Sequence, residues 1–356
     1  MCIRDSVSTA RTMPALVKYE AGDGHVEVRE VAEPSCGPGQ VKIEVAGTGI
    51  CGTDLHVYHG TFRSYPPVIM GHEFAGTVAE VGSGVDGVEE GERVTILPAS
   101  AVTCGRCVHC RSGEFMFCPE RRGMGHGVNG AFARYAVVQP HQLYRLPDHM
   151  GLDEAALCEP FAAAVQPVEE MSGVRLGDVV LLSGPGPIGL MCLKLLVADG
   201  VQVIVAGTSS DAARREKARE IGAHRVVNVD EEDLAEIVRE ETGGRGVDLA
   251  LECAGAAPSA RACFEALRPL GTYVQVGIFG KGVEVPLDAT IYKQLVFRGT
   301  VGYTVKTWER TMRILEQRRV RLDDLISHRL PLVQWEDAFD LCTRGEGIKV
   351  LISPGS

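Results

Sequence analysis

Apolar and polar positions along this chain follow two rhythms. Up to about Leu146 the apolar stretches are short and broken by glycine and proline. There "QVKIEVAGTGI", "EFAGTVAEVG", "GERVTIL" and "ARYAVV" have strand character, and helix-length periodicity is scarce. This predicts a mainly β region with long loops. After "LCEPFAAAVQPVEEM" the rhythm changes. "DVVLLSG" predicts a buried strand, and "PIGLMCLKLLVADG" a helix that stops at Gly200. "QVIVAG", "RVVNV", "VDLALECAG", "TYVQVGIFG" and "LVFRGTVG" predict further strands, and "DAARREKAREIGA", "EDLAEIVREETGG" and "SARACFEALRPLG" predict helices among them. Strands alternating with helices imply an α/β unit with a doubly wound parallel sheet. "TWERTMRILEQRRV" is amphipathic and helical. The tail "HRLPLVQWEDAFDLCTRGEGIKVLIS" has no place in the alternation and is expected to return to the first region. The boundaries are therefore read as 13–165 with 303–356 for the β domain and 166–302 for the α/β domain.

The 356 residues exceed what one core usually supports, which fits two domains. The net charge is −11, which disfavours nucleic acid and anionic membranes as partners. No apolar run reaches transmembrane length. The start, "MCIRDSVSTARTMPALVKYE", lacks a secretory signal's apolar core, so residues 1–12 are read as a disordered leader and the protein as cytoplasmic. Of the 12 cysteines, Cys104, Cys107, Cys110 and Cys118 crowd into one Gly- and Arg-containing loop. In a large chain without a signal, such a cluster fits a closed tetrahedral Zn²⁺ site better than disulfides, a redox pair or an iron–sulfur centre.

"VVLLSGPGPIGLM" sets Gly184, Gly186 and Gly189 in G-x-G-x-x-G spacing, with Pro187 and Ile188 opening the helix. The motif directly follows a strand, the context in which it binds a dinucleotide pyrophosphate. Val276 and Gly277, ending a later strand, are further expected cofactor contacts. At the end of the second strand Gly207 stands where an acidic residue would bind the ribose. Thr208, Ser209 and Ser210, with Arg214 or Arg215, would instead suit a 2′-phosphate. That favours NADP; NAD is the alternative if Asp211 reaches the ribose.

Three short strings supply further metal donors. "GICGTDLHVYHG" offers Cys51, Thr53, Asp54 and His56, "IMGHEFAG" offers His72 and Glu73, and "ALCEPFAAAV" offers Cys158 and Glu159. Singly each is ordinary. In their order and separation, together with the four-cysteine lobe and "GPGPIG", they resemble the medium-chain zinc-dependent dehydrogenases from about Met13 to the C-terminus. Within that superfamily the chain looks most like the polyol branch (sorbitol or L-iditol 2-dehydrogenase), and it also resembles the threonine 3-dehydrogenases.

The resemblance implies a GroES-like catalytic domain joined to a Rossmann nucleotide-binding domain. It implies a small alcohol or polyol substrate, two zinc ions per chain, NADP or NAD, and a homodimer or homotetramer joined through the nucleotide domains. It assigns Cys51, His72, Glu73 and Glu159 to the catalytic zinc, with Cys158 the rival to Glu159. Cys104, Cys107, Cys110 and Cys118 take the structural zinc, and Thr53 and His56 form a proton relay. Gln166 departs from the histidine of many relatives. The implied reaction is reversible oxidation of a secondary alcohol to a ketone. L-threonine or 2,3-butanediol are alternative substrates, and a zinc- and nucleotide-binding scaffold without turnover is the alternative of another class. Asp54 is read as organising its loop, and His59 and His126 receive no role. Tyr58, Phe117 and Phe132 either shape the pocket or belong to the core.

Overall fold

The structure, a computed structural model, describes residues 11–355. Most of the expected leader lies outside that range, but the first strand, Thr12–Lys18, starts one residue inside it. Thr12–Lys18 pairs with Val26–Ala32 and Val68–Ile69 in a three-stranded sheet. A seven-stranded sheet follows the order Ile326–Pro331, Lys349–Ser353, Val41–Gly49, Glu73–Val81, Arg93–Ile96, Leu143–Arg145, with Tyr135–Val138 pairing onto Val41–Gly49. The C-terminal tail thus supplies two strands to the sheet built by the first part of the chain.

The third sheet is six-stranded and parallel, in the order Arg225–Asn228, Gln202–Gly207, Val179–Ser183, Val247–Glu252, Leu267–Gln275, Val296–Gly299. Its central strands read as unbroken apolar runs because both faces are covered. Val180 and Leu182 point into one core with Leu190, Phe161 and Trp308. Val179 and Leu181 point into another with Ile237, Phe264 and Tyr273. The first of these cores also takes in Ala75 and Leu351 from the seven-stranded sheet, and Leu97 just past one of its strands, so the six- and seven-stranded sheets share buried packing. No helix among the described residues is long and apolar enough to cross a membrane.

One helix is shorter than its pattern predicts. "SARACFEALRPLG" is helical only to Ala266, and Leu267–Gln275 is strand. Pro269 has no amide hydrogen to continue the helix, and Leu270 takes a left-handed φ of 64°. The register slips between the Val247 and Leu249 pairings, which absorbs the irregular residues.

Candidate active site and metal centres

Sheet register assembles the first donor cluster. Val41–Gly49 runs antiparallel to Glu73–Val81 with Gly49 opposite Glu73. Cys51, just past the end of one strand, therefore meets His72 and Glu73 at the start of the other. One donor atom from each of Cys51, His72 and Glu73 lies within 4.8 Å of the other two. Gly49 makes room for the carboxylate, since a Cβ there would stand 2.1 Å from Glu73 Oε2.

Partners from distant parts of the chain hold these donors. The Cys51 amide donates to Asp54 Oδ2 at 2.9 Å, capping the helix Gly52–Tyr58. Asp54 Oδ1 faces His72 Nδ1 at 3.6 Å, too long for a hydrogen bond, and that buried nitrogen has no other partner. A carboxylate behind an imidazole is the usual support for a metal-binding histidine. Burial alone would lower the His72 pKa, but Asp54 and Cys51 raise it well above its ordinary value. A thiol sulfur, an imidazole and a carboxylate are donor types that a divalent zinc ion takes.

Lys349 donates to Glu73 Oε2 and, at 3.0 Å, to the Ile50 carbonyl. Both charged side chains are nearly sealed from water, at 3% and 1% exposure. Removing one member of a buried pair leaves the other charge without compensation. Lys349→Met is therefore expected to cost about 3–5 kcal/mol of stability, measured by urea unfolding. A loss below about 1 kcal/mol would show that Glu73 is not held as a buried carboxylate.

Glu159 is not part of the trio. The helix Cys158–Val165 turns Cys158 into the core, where burial pushes its thiol up to about 12. Glu159 is instead held by the Tyr303 hydroxyl, which donates to its Oε1 at 2.8 Å. Burial pushes Glu159 up to about 7, against the pull of His72 and with the push of Glu73, so it stands within electrostatic reach of the trio. Gln166 accepts a hydrogen bond from Thr307 and is tied to the helix Val305–Glu316. Thr53 Oγ1 lies 3.7 Å from Cys51 Sγ. His56 is exposed on the next turn with its ring on Thr61, and no hydrogen bond joins it to Thr53 among the described residues. His59 pairs with Asp23 at the surface. Tyr58 and Phe132 pack into a core that includes Trp335 and Phe339, whereas Phe117 is exposed.

The four clustered cysteines form the second centre. Their sulfurs lie within 4.8 Å of one another, with Cys107–Cys110 at 3.4 Å and Cys104–Cys110 at 3.9 Å. A tetrahedron of sulfurs around zinc has edges of about 3.8 Å, given Zn–S bonds of about 2.3 Å. Backbone amides of Cys107, Cys110 and Cys104 donate to the sulfurs of Cys104, Cys107 and Cys118 at 3.3–3.4 Å. Such amides favour thiolate, and those of Arg106 and Cys107 bring the Cys104 thiol down to about 6. Cys110 is pushed up to about 12 by burial and then by neighbouring sulfurs. Four sulfurs fill a tetrahedral ion completely, leaving no position for substrate.

The glycine loop has the shape a pyrophosphate needs. Gly184 takes a left-handed φ of 101°, and a Cβ on Gly189 would sit 2.1 Å from the Gly184 carbonyl. A Cβ on Gly186 would meet nothing within 4 Å, so the N-terminus of the helix Pro187–Ala198 opens onto free space. Val276 and Gly277 donate their amides to the Glu252 carbonyl at 2.9 and 2.8 Å. At the second strand's end a Cβ on Gly207 would stand 2.9 Å from Pro185 and 3.2 Å from the Arg215 side chain, so an acidic residue does not fit. Asp211 accepts from the Thr208 amide and hydroxyl at 3.0 and 2.8 Å, and Ser209 donates its amide to Asp230. Arg214, expected at the cofactor, instead donates to the Gly347 carbonyl at 2.9 Å and lies 3.6 Å from Asp211. Arg215 is the arginine whose aliphatic stem packs beside Gly207.

Sequence reasoning missed Tyr303, Lys349 and the place of Asp54 behind His72. Only Asp54 left a local signal, as the third residue of a helix opened by Cys51.

Comparison with known proteins gives a consistent picture. The alcohol dehydrogenase GroES-like domain family matches residues 37–148, and the zinc-binding dehydrogenase family matches residues 187–317. Sorbitol dehydrogenase of Halalkalibacterium halodurans is 37% identical over 96% of this chain and 99% of its own length. D-Arabitol-phosphate dehydrogenase of Enterococcus avium is 34% identical over 96% of this chain and 98% of its own. A zinc-binding dehydrogenase of Sinorhizobium meliloti, solved bound to NADP, superposes with a TM-score of 0.88 at 32% identity, covering 97% of this chain and all of that one.

Proposed function

The chain belongs to the zinc-binding dehydrogenases with an alcohol dehydrogenase GroES-like domain, and from that premise we propose that it carries out reversible, zinc-dependent, NAD(P)-linked oxidation of a secondary alcohol. The observation that carries this reading is the convergence of Cys51, His72 and Glu73. Beside them lies Glu159, held by Tyr303 from beyond the C-terminal end of the last parallel strand, the end at which such sheets bind ligands. Residues 13–165 with 303–356 form the catalytic domain and 166–302 the nucleotide-binding domain. The protein acts in the cytoplasm on a small-molecule alcohol.

Cys51, His72 and the free oxygen of Glu73 would hold the catalytic zinc, with Glu159 beside them, and Cys104, Cys107, Cys110 and Cys118 would hold the structural one. When bound, the catalytic zinc supplies Lewis acidity to the alcohol oxygen and the dinucleotide accepts hydride. Everything else falls to side chains. Asp54 sets a carboxylate opposite the His72 ring, Lys349 anchors Glu73, and Tyr303 keeps Glu159 in place. The Thr53 hydroxyl beside Cys51 would accept the alcohol proton while giving up its own, and water between Thr53 and the exposed His56 would carry that proton to the imidazole and out to solvent. The glycine loop Gly184–Gly189, with Val276 and Gly277, positions the dinucleotide, and fixing the two reactants is a large part of the rate gain.

NADP is the preferred cofactor, because Gly207 leaves no room for a ribose-binding carboxylate and Arg215 packs beside it, with Thr208 and Ser209 next to it. kcat/KM is expected to favour NADP over NAD by about 10-fold or more, the scale of one charge-assisted contact. A preference for NAD would overturn the cofactor assignment alone. The substrate is tested by a panel of sorbitol, xylitol, 2,3-butanediol and L-threonine, in which turnover of a polyol supports the reading and absence of turnover of every member opposes it.

The chain pairs through its nucleotide-binding domain. The edge strand Val296–Gly299 is exposed throughout, and Ile291 and Tyr292 beside it are 71% and 85% exposed. A bare sheet edge flanked by apolar side chains needs a partner. Phe297→Asp should convert the dimer or tetramer to monomer in light scattering, whereas an unchanged mass would place the interface elsewhere.

A further inference from the structure

The Arg121 amide donates to the Cys118 carbonyl at 3.1 Å, but its guanidinium, near the candidate catalytic cluster, has no hydrogen bond or ion pair among the described residues. It is half-buried, three residues past Cys118, and burial draws its pKa below the ordinary arginine value against the opposing pull of Tyr303 and Cys118. Two neighbours locate it. Tyr303 is the residue whose hydroxyl meets Glu159. A Cβ built on Gly123 would stand 3.3 Å from Arg121 Nη1 and 2.9 Å from His126 Nε2, so guanidinium and imidazole flank one small space. Burial, and then the charges of His72 and Arg121, bring His126 down to about 4, so it is a neutral hydrogen-bonding group and adds no charge.

Two more arginines stand around Tyr65. Arg63 and Arg122 lie over the Tyr65 ring at 5.0 and 4.2 Å, and neither has an ion-pair partner among the described residues. The Tyr65 amide donates to the His126 carbonyl at 2.8 Å, which joins their segment to that of Arg121. In a chain of net charge −11, Arg121 and these two arginines thus gather around Tyr65 and His126 with no ion-pair partner among the described residues. A partly desolvated guanidinium is ordinarily paired, and its fork fits two oxygens of one anion.

We infer that the alcohol oxidised here carries an anionic group, a phosphate monoester or a carboxylate, with Arg121 as its specificity-determining contact and Arg63 and Arg122 attracting it from around Tyr65. The inference rests on the dehydrogenase reading above. It adds a class of substrate: a hydroxyl at the zinc and an oxyanion on Arg121.

The test compares matched pairs on the zinc-loaded enzyme with NADP. D-Sorbitol against D-sorbitol 6-phosphate tests phosphate, and 2-butanol against 3-hydroxybutanoate tests carboxylate. In one pair the anionic member is expected to exceed the neutral one in kcat/KM by about 100-fold, the scale of a charged hydrogen-bonded contact. Arg121→Gln should bring that preference below about 10-fold, chiefly through KM, while Arg121→Lys, which keeps the charge, should retain part of it. The preference should also weaken with added salt. A melting curve confirms that each variant is folded. Equal kcat/KM within both pairs, or a preference that survives Arg121→Gln, overturns the inference and leaves the dehydrogenase reading standing. No turnover of these or of the neutral panel overturns both.

Discussion

Cys51→Ser and His72→Ala are each expected to lower kcat by about 10³-fold or more, while the urea-unfolding midpoint moves little. The size follows from what the site supplies. Lewis-acid stabilisation of a developing negative charge is worth several kcal/mol, and about 4 kcal/mol corresponds to about 10³ in rate. The small change in stability follows from place. Cys51 is half-buried at the start of a helix and His72 lies at the mouth of a strand, so neither substitution opens a hole in a main core. Steady-state kinetics with each variant, alongside urea unfolding, checks both halves. A near-wild-type kcat in either variant would remove that residue from the chemistry.

Cys107→Ser is expected to do the reverse. It breaks a closed sulfur cluster that also organises its own loop, since Cys107 caps the helix Val108–Arg111 and its sulfur accepts from the Cys110 amide. The expected loss is about 3 kcal/mol or more, a fraction of the roughly 10–16 kcal/mol that a structural zinc contributes to folding of a small module. Thermal unfolding should show it as a lower Tm, together with the loss of one zinc per chain. Activity measured well below that Tm should fall far less than in Cys51→Ser. A normal Tm with activity abolished would exchange the roles of the two centres.

Much of the architecture is legible in the sequence because its cause is local. The strands around Gln202–Gly207 are buried on both faces, so they are written as apolar runs, and the glycine loop is written as spacing. The four cysteines of the lobe lie within one loop. What escapes is set by contacts between distant positions. Lys349 reaches Glu73 across 276 residues and Tyr303 reaches Glu159 across 144. A lysine heading "KVLIS" looks like an ordinary strand end until antiparallel pairing sets Leu351 opposite Gly49. Arg214 and Arg215 are equal candidates in the sequence, and only the backbone of Gly347 distinguishes them, by engaging Arg214. "SARACFEALRPLG" misleads for a related reason. Its apolar spacing is helical, but Pro269 and the pairing of Leu267 with Val247 favour strand.

The most direct test of the two-centre account is zinc content measured with NADP-linked alcohol turnover, in wild type and Cys51→Ser. The account predicts two zinc ions in the wild type, and one zinc with turnover lost in the variant while the protein stays folded. Full turnover in Cys51→Ser with a single zinc would contradict it, because the reaction would then not depend on the centre built from Cys51, His72 and Glu73.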